Sequence, residues 1–463
     1  MSYRPSFLDG RVLIAGAGVS GRGCAAVLSD LGVEITVADG NAESRARLAS
    51  ELGVATVDTD AVELDQYSIV VTSPGWRPDA PLLARASDAG LEVIGDVELA
   101  YRLDRAEVFG APRRWLAITG TNGKTTTTGM LAAIMAADEQ RSGLRSQAVG
   151  NIGVSPFDAL AAEPRVDILV AELSSFQLHW SSELRPEVGA LLNLADDHLD
   201  WHGSFEAYAA DKAKILTGTH AVYGQDDDHV AALVGNSSAT AFSHTEPARG
   251  AVGVRAGSLF IHDVAGMTAS VVDDVTTLQP AGLAGVLDAA AAAAVAALAG
   301  ARAESITEGL ESYVVAGHRG EIVHEHAGVT YIDNSKATNP HAAEIALRGL
   351  DSVVWVAGGQ LKGADVSDLL RTHADKMKAA VLVGVDKHLL AQALTQAAPH
   401  VPIVLVDSQD PQIAMDTAVA AAVQHADAGD TVLLAPAAAS LDMYTGMSQR
   451  GDMFAAAARR LAR

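Results

Sequence analysis

The chain has 463 residues and one cysteine, with 33 Lys plus Arg against 57 Asp plus Glu and a formal net charge of −24. That length supports about three domains, each burying its own core. The charge excludes a general binder of nucleic acid or anionic membrane, so any phosphate must be captured locally. Cys24 alone excludes an internal disulfide framework and suits a reducing compartment.

No charged leader followed by an apolar core opens the chain. The longest apolar stretch, Ala289 to Ala299, is mostly alanine. It is too short and too weakly apolar for a membrane span and reads as a helix packed closely on a neighbour. The expectation is a soluble, cytoplasmic protein without membrane insertion or nucleic-acid partners.

In the first segment, Arg11 to Ala15 reads as a strand entering Gly16-Ala17-Gly18-Val19-Ser20-Gly21, a GxGxxG turn. A helix is predicted from Arg22 to Leu31, and a second strand from Val33 to Ala38 ends in Asp39. The acid stands at about the distance expected for a ribose hydroxyl. Read alone this is a nicotinamide-dinucleotide fingerprint, although a tight strand–helix turn without ligand has the same pattern. A second corner, Ile69 to Gly75, ends a strand in Ser73-Pro74-Gly75, where Ser73 can donate to a ligand at the carboxyl edge of the sheet. Two such corners suit a nucleotide with its diphosphate.

The polar stretch Arg102 to Arg114, with Gly110 and Pro112, reads as a linker. The apolar run Leu116 to Ile118 then reads as a buried strand running into Thr119-Gly120-Thr121-Asn122-Gly123-Lys124-Thr125-Thr126 and a helix. Strand, glycine turn, Lys-Thr and helix make a phosphate cradle. Backbone N–H groups and the helix N-terminus face the anion, Lys124 neutralises the outer phosphates, and the Thr125 hydroxyl reaches Mg²⁺. The long form of this loop has a Gly where Ile118 stands, so the loop here is shorter. Gly150-Asn151-Ile152-Gly153 is another turn. Asp167 to Leu178 starts as a buried strand ending at Glu172, an acid placed for Mg²⁺ beside the cradle. A strand from Val188 to Leu194 leads to His198, just past its end, and to His202, read as structural. Ser204 is a plausible N-cap for a helix to Leu216 that carries Glu206, Lys212 and Lys214.

In the last segment, Gly317-His318-Arg319 precedes a strand from Val329 to Ile332, which leads into Asp333-Asn334-Ser335-Lys336-Ala337-Thr338-Asn339-Pro340. Pro340 suits the first turn of a helix. Val353 to Gly359 is a strand and turn followed by Lys362. Thr431 to Pro436 is a strand that delivers Ala438 to Tyr444. Strands alternating with helices predict a parallel sheet.

The loop Thr119 to Thr126 resembles the ATP loop of the Mur ligases and folylpolyglutamate synthases. Gly150 to Gly153, Glu172 to Leu178, Asp197 to Gly203 and Ser335 to Asn339 then follow in the order found in Mur ligases, so the resemblance covers nearly the whole chain. It implies an α/β protein of three domains. These are a Rossmann-like UDP-binding domain over 1–105, a central P-loop ATPase-like domain with a mostly parallel sheet over 106–316, and a Rossmann-like amino-acid-binding domain over 317–463.

The resemblance assigns Val19, Ser20, Asp39, Ser73, Gly75, Asn151 and Ser174 to a UDP-sugar. It assigns Gly120, Thr121, Asn122, Gly123, Lys124, Thr125, Thr126, Asp288 and Arg319 to ATP. Thr125, Glu172, His198 and Lys212 go to two Mg²⁺ sites, with Lys212 carbamylated by CO₂, while Lys214 does not align and reads as a surface lysine. Lys124, His198, Lys212, Arg319 and Lys336 supply the catalytic field. Ser335 to Asn339 points to the branch that adds D-glutamate, held by Thr338, Lys362 and Ser440. The implied reaction joins D-glutamate to UDP-N-acetylmuramoyl-L-alanine at the expense of ATP, carried out by a monomer.

Three places depart from the family pattern. Ala284, Gly285 and Asp288 stand for a His-Asn-x-x-Asn run, leaving Asp288 as its polar remnant. Asn334 stands for an acid, with Asp333 one place earlier, and Met447 for an aromatic residue. A nicotinamide oxidoreductase would rest on Gly16 to Asp39 alone and leave Lys124, Glu172 and Lys336 unexplained. A non-catalytic nucleotide-binding regulator would need only the first two domains. Within the ligases, Thr338, Lys362 and Ser440 argue against a folylpolyglutamate synthase.

Overall fold

Among the described residues, twenty strands form three sheets. The computed structural model describes residues 4–235, 238–315 and 317–462, so the domain boundary expected at 316 lies outside the described residues. Two compact units result. One is built from the chain up to Arg255 with Phe260–Val271 and Ala290–Leu310, the other from Glu311 onward with Ala256–Leu259 and Val272–Ala289.

The first sheet holds β1 (Val12–Ala15), β2 (Ile35–Ala38), β3 (Ala55–Val57), β4 (Ile69–Thr72) and β5 (Glu92–Gly95) in the order β3-β2-β1-β4-β5. All its pairings are parallel. β1, β2 and β4 are buried along their whole length, as apolar runs without alternation require when both faces are covered. The helix after β1 starts at Val19, three residues earlier than the sequence suggested.

The second sheet holds β6 (Arg114–Thr119), β7 (Ser146–Gly150), β8 (Ile168–Glu172), β9 (Val188–Leu191), β10 (His220–Gly224), β11 (Thr240–Phe242), β12 (Ala251–Arg255), β13 (Ser258–Val264) and β14 (Met267–Val272). Its order is β14-β13-β12-β11-β10-β9-β6-β8-β7. From β7 through β12 every pairing is parallel. β6 lies between β8 and β9, so the loop after β6 opens at a central strand end, where ligands of parallel sheets gather.

The expected linker from Arg102 to Arg114 is a correction. Arg102 belongs to the helix Asp96–Arg105 and is only 5% exposed. It donates to Glu98 Oε1 at 2.9 Å and to Glu92 Oε1 at 2.6 Å. The Asp104 carboxylate, fully buried, accepts from Arg113 N at 3.0 Å and from Trp115 Nε1 at 2.9 Å. The polar residues that resembled a solvated tether are mutually satisfied, and buried charge needs such pairing. One apolar core cluster accordingly runs from Leu8 and Val12 through Leu103 and Trp115 to Leu191 and Ile215.

The third sheet, in the second unit, holds β15 (Glu321–His326), β16 (Val329–Asp333), β17 (Val353–Gly358), β18 (Met377–Val383), β19 (Ile403–Leu405) and β20 (Thr431–Leu434) in the order β15-β16-β20-β17-β18-β19. β15 pairs antiparallel with β16, and the other pairings are parallel. The alanine-rich helix spans Leu283–Leu298, and every side chain from Ala289 to Val295 is fully buried. Such short side chains permit the close packing expected of it. No described helix is long and apolar enough to cross a membrane.

Candidate active site

β6 delivers Thr119 to a four-residue loop, and the helix Lys124–Ser142 begins immediately after it. Gly123 turns the chain into the helix at φ +82°, a conformation that glycine adopts freely. At Gly120 a Cβ would lie 2.9 Å from Leu192 Cβ and 3.1 Å from the Asn122 carbonyl oxygen, so only glycine fits. Lys124 Nζ donates to the carbonyls of Gly120 and Thr121, each at 2.9 Å. Thr125 is half-buried and Thr126 buried in the first turn.

The loop is braced from β9. Thr121 N donates to the Asn193 carbonyl at 2.9 Å. Asn122 N donates to Asn193 Oδ1 at 2.8 Å, and Asn193 Nδ2 donates back to the Asn122 carbonyl at 3.1 Å. Thr121 Oγ1 lies 2.8 Å from Tyr208 Oη and accepts from Ala195 N at 3.0 Å. Asn193 and Tyr208 were not singled out from the sequence. The available signal was an asparagine interrupting the apolar run Leu191 to Leu194.

Glu172 ends β8 as expected, opposite Ile118 of β6, and is 1% exposed. Its Oε1 accepts from Asn151 Nδ2 at 2.7 Å. Its Oε2 is buried with no hydrogen-bond partner among the described residues. A buried carboxylate oxygen left without a donor is costly, and a hard cation resolves that cost, so these residues fit Mg²⁺. His198 stands at φ +53° before the short helix Leu199–His202, its ring 4.7 Å from that of Phe176. Burial lowers its pKa, with Lys124 and Lys212 acting in the same direction against Asp197. The neutral ring therefore persists at neutral pH with a lone pair to offer.

Lys212 is 2% exposed. Its Nζ donates to the Gly120 carbonyl at 2.7 Å and to Thr119 Oγ1 at 3.2 Å, and lies 5.0 Å from the Tyr208 ring centroid. Burial pushes its pKa well below the ordinary lysine range, and Lys124 pushes it further, against Asp197 and Glu172.

Ser204 caps the helix Phe205–Ala213, accepting from Ala207 N at 3.2 Å. His202 is structural, as read: its Nδ1 lies 3.1 Å from Asp211 Oδ2 and its Nε2 3.0 Å from Ser175 Oγ. His179 Nδ1 lies 2.8 Å from the same Asp211 oxygen. These three could hold a metal ion. Their polar atoms are already matched by hydrogen bonds, with Lys214 Nζ 2.9 Å from Asp211 Oδ1. Lys214 is thus no simple surface lysine. It also donates to the carbonyls of Leu178 at 3.0 Å and His179 at 2.9 Å, contacts that its helical position did not reveal. Ser174 caps the helix Ser175–His179 in a capping box with Gln177.

At the first sheet's carboxyl edge, Val19 is 93% exposed and Gly75 has open space around it. Asp39 accepts from Ala17 N at 2.8 Å and Asn41 N at 2.7 Å. Ser73 Oγ is buried with no hydrogen-bond partner among the described residues, and Ser20 lies in the helix's first turn.

In the second unit, β16, β20 and β17 are adjacent, and the segments carrying Lys336 and Thr338, Ser440 and Lys362 leave their carboxyl ends. Gln360 and Ala439 exchange backbone hydrogen bonds at 2.8 and 2.9 Å, and Ala437 N donates to the Ala337 carbonyl at 2.9 Å. The three segments are thus laced together. Asp333 is fully buried, accepting from Ser335 N at 2.9 Å with its Oδ2 2.6 Å from His318 Nδ1, whereas Asn334 is half-buried. Arg450, also missed, is fully buried. It donates through Nε to Ser335 Oγ at 3.0 Å and through Nη2 to the Ser335 carbonyl at 2.8 Å. Burial lowers its pKa to about 10. Arg319 follows His318, and Asp288 is 8% exposed in the alanine-rich helix.

A braced phosphate loop beside an unsatisfied buried carboxylate, in a three-sheet α/β chain, defines a nucleotide-dependent phosphoryl-transfer enzyme. Residues 10–95, 118–296 and 318–438 match the Mur ligase MurD-like N-terminal domain, the Mur ligase middle domain and the Mur ligase glutamate ligase domain. The UDP-N-acetylmuramoylalanine–D-glutamate ligase of Corynebacterium diphtheriae is 55% identical over 97% of this chain and 96% of its own length. The ligase of the same name from Mycolicibacterium smegmatis is 46% identical over 97% and 96%. A crystal structure of MurF from Acinetobacter baumannii shares the fold, with a TM-score of 0.60 and 18% identity over 96% of this chain and 93% of that one. The chain belongs to the Mur ligase family, an ATP-dependent family of peptidoglycan precursor synthesis.

Proposed function

We propose that the chain ligates D-glutamate to UDP-N-acetylmuramoyl-L-alanine in the cytoplasm, as a monomer with domains 1–105, 106–316 and 317–463. The observation that carries this reading is the loop Gly120–Gly123 with Lys124 folded over it, next to the partnerless Oε2 of Glu172. A terminal carboxylate oxygen of the UDP-sugar substrate attacks the γ-phosphorus of ATP, and ADP leaves. The amine of D-glutamate attacks the resulting acyl phosphate, loses a proton, and the tetrahedral adduct expels phosphate. Both steps concentrate negative charge, so positioning and electrostatics dominate.

Gly120 to Thr126 hold the ATP phosphates, with Asp288 and Arg319 completing the ATP site. Lys124, His198, Lys212, Lys336 and Arg319 supply the field around the reacting groups. Val19, Ser20, Asp39, Ser73, Gly75, Asn151 and Ser174 hold the UDP-sugar; the buried, partnerless Ser73 hydroxyl supports this. Thr338, Lys362 and Ser440 hold the D-glutamate carboxylates, an ammonium and two hydroxyls for a dianion. Thr125, Glu172, His198 and Lys212, the last as its carbamate, would hold Mg²⁺ at two sites. Mg²⁺ when bound neutralises phosphate oxygens.

Two measurements test this. Phosphate release with ATP, Mg²⁺ and UDP-N-acetylmuramoyl-L-alanine is expected to require D-glutamate and to be absent with L-glutamate or D-alanine. Release with a different amino acid would move the chain to another acceptor. Glu172→Gln keeps the oxygen facing Asn151 and replaces the partnerless one with an amide. Its Mg²⁺ requirement is expected to rise about tenfold or more at unchanged fold. An unaltered Mg²⁺ titration would remove Glu172 from the metal site.

A further inference from the structure

We infer that Asn193 is a positioning residue for the nucleotide phosphates, acting through the backbone of Asn122. The inference rests on the ATP reading above and adds a residue that reading does not use. The Asn193 carboxamide meets both hydrogen-bonding groups of one loop residue, accepting from Asn122 N at 2.8 Å and donating to the Asn122 carbonyl at 3.1 Å. Its own carbonyl accepts from Thr121 N at 2.9 Å. Thr121 and Asn122 are flanked by Gly120 and Gly123, which add backbone freedom on either side of them.

The brace is itself fixed. Leu192 N donates to the Thr119 carbonyl at 2.9 Å, Leu194 N to Asp227 Oδ2 at 2.9 Å, and Ala195 N to Thr121 Oγ1 at 3.0 Å. Asp227 Oδ1 meanwhile caps the helix Asp228–Val234. A rigid backbone thus presents one carboxamide to a glycine-hinged loop, and the loop's shape is set before any anion arrives. Pre-set donors pay no reorganisation when charge arrives. The same contact occupies the Asn122 carbonyl, an acceptor that would repel a phosphate if it swung into the cradle. The segment continues to His198 five residues later, so loop and histidine share one scaffold.

The test compares ADP with adenosine, which lacks phosphate, by calorimetric titration of the wild type, Asn193→Ala and Asn193→Asp, with unfolding midpoints recorded alongside. Loss of two hydrogen bonds is expected to weaken ADP binding by about tenfold or more in Asn193→Ala and to leave adenosine within about twofold. Asn193→Asp matches the original volume, yet it turns a carboxylate toward the Asn122 carbonyl and is expected to bind ADP less well than the alanine variant. A residue that merely fills space gives the opposite order. Asn193→Ser provides the same comparison where the alanine variant does not fold. Equal losses for ADP and adenosine, or intact ADP binding in the aspartate variant, would overturn the inference alone. A wild-type protein holding ADP no tighter than adenosine would overturn the ATP reading and this inference with it.

Discussion

Lys124→Ala is expected to lower ATP-dependent phosphate release by about 10³-fold while the chain still folds. The ammonium sits 2.9 Å from the carbonyls of Gly120 and Thr121, inside the turn proposed above to hold the ATP phosphates. Its removal deletes the positive charge that the loop carries. The Lys124 bonds to the Gly120 and Thr121 carbonyls are lost, but the bonds linking Asn193 to Thr121 and Asn122 remain and keep the loop's shape. Lys124→Arg is expected to fail as well, since a planar fork does not replace a compact ammonium in a turn closed by two glycines. The measurement is turnover at saturating substrates with an unfolding curve for each variant. Release within tenfold of the wild type would take Lys124 out of the mechanism.

What was legible in the sequence was what is local. The strand, glycine turn, lysine and helix around Lys124 are contiguous, and each part has one physical use. Glu172 was visible because an acid closing an apolar strand has few other reasons to be there. The parallel sheet of the last segment followed from strands alternating with helical stretches, and the three-domain architecture from the resemblance to the Mur ligases.

What escaped depends on contacts between residues far apart in the chain. Asn193 looks like the frayed end of a strand until Asn122, 71 residues away, is seen against it. Arg450 lies in the helix Met447–Leu461, where it reads like any solvated arginine, and its partner Ser335 is 115 residues away. The Arg102–Arg114 error has the same origin. Charge in sequence reads as exposure, whereas Glu98, Arg102, Asp104 and Arg113 are buried because they satisfy one another or nearby backbone groups. Asn334 stands where the family has an acid, and Asp333 lies one place earlier. The structure accounts for the acid by its bond to His318, leaving Asn334 as the half-buried neighbour.

Wild-type activity is expected to depend on dissolved CO₂, and Lys212→Ala to lose about 10²- to 10³-fold in turnover. The Gly120 carbonyl accepts from both Lys124 Nζ, at 2.9 Å, and Lys212 Nζ, at 2.7 Å. Burial, and then the neighbouring Lys124 ammonium, lower the Lys212 pKa and favour its neutral form. On the carbamate reading a neutral amine would attack CO₂, forming the N–C bond and releasing a proton to solvent, and a carboxylate would then stand in place of the ammonium.

The sign with pH follows. The lowered pKa favours the neutral, reactive amine, and acid that protonates it opposes the addition. Activity is therefore expected to fall in CO₂-free buffer, further as the pH is lowered, and to return on adding bicarbonate. The alanine variant should ignore bicarbonate and be partly restored by a short carboxylic acid that fits the vacated space. Labelling with ¹³CO₂ supplies the readout independent of turnover, as a carbamate carbon signal present in the wild type and absent in Lys212→Ala. Full activity without CO₂, together with no such signal, would leave Lys212 as a buried neutral donor bracing Gly120 and Thr119.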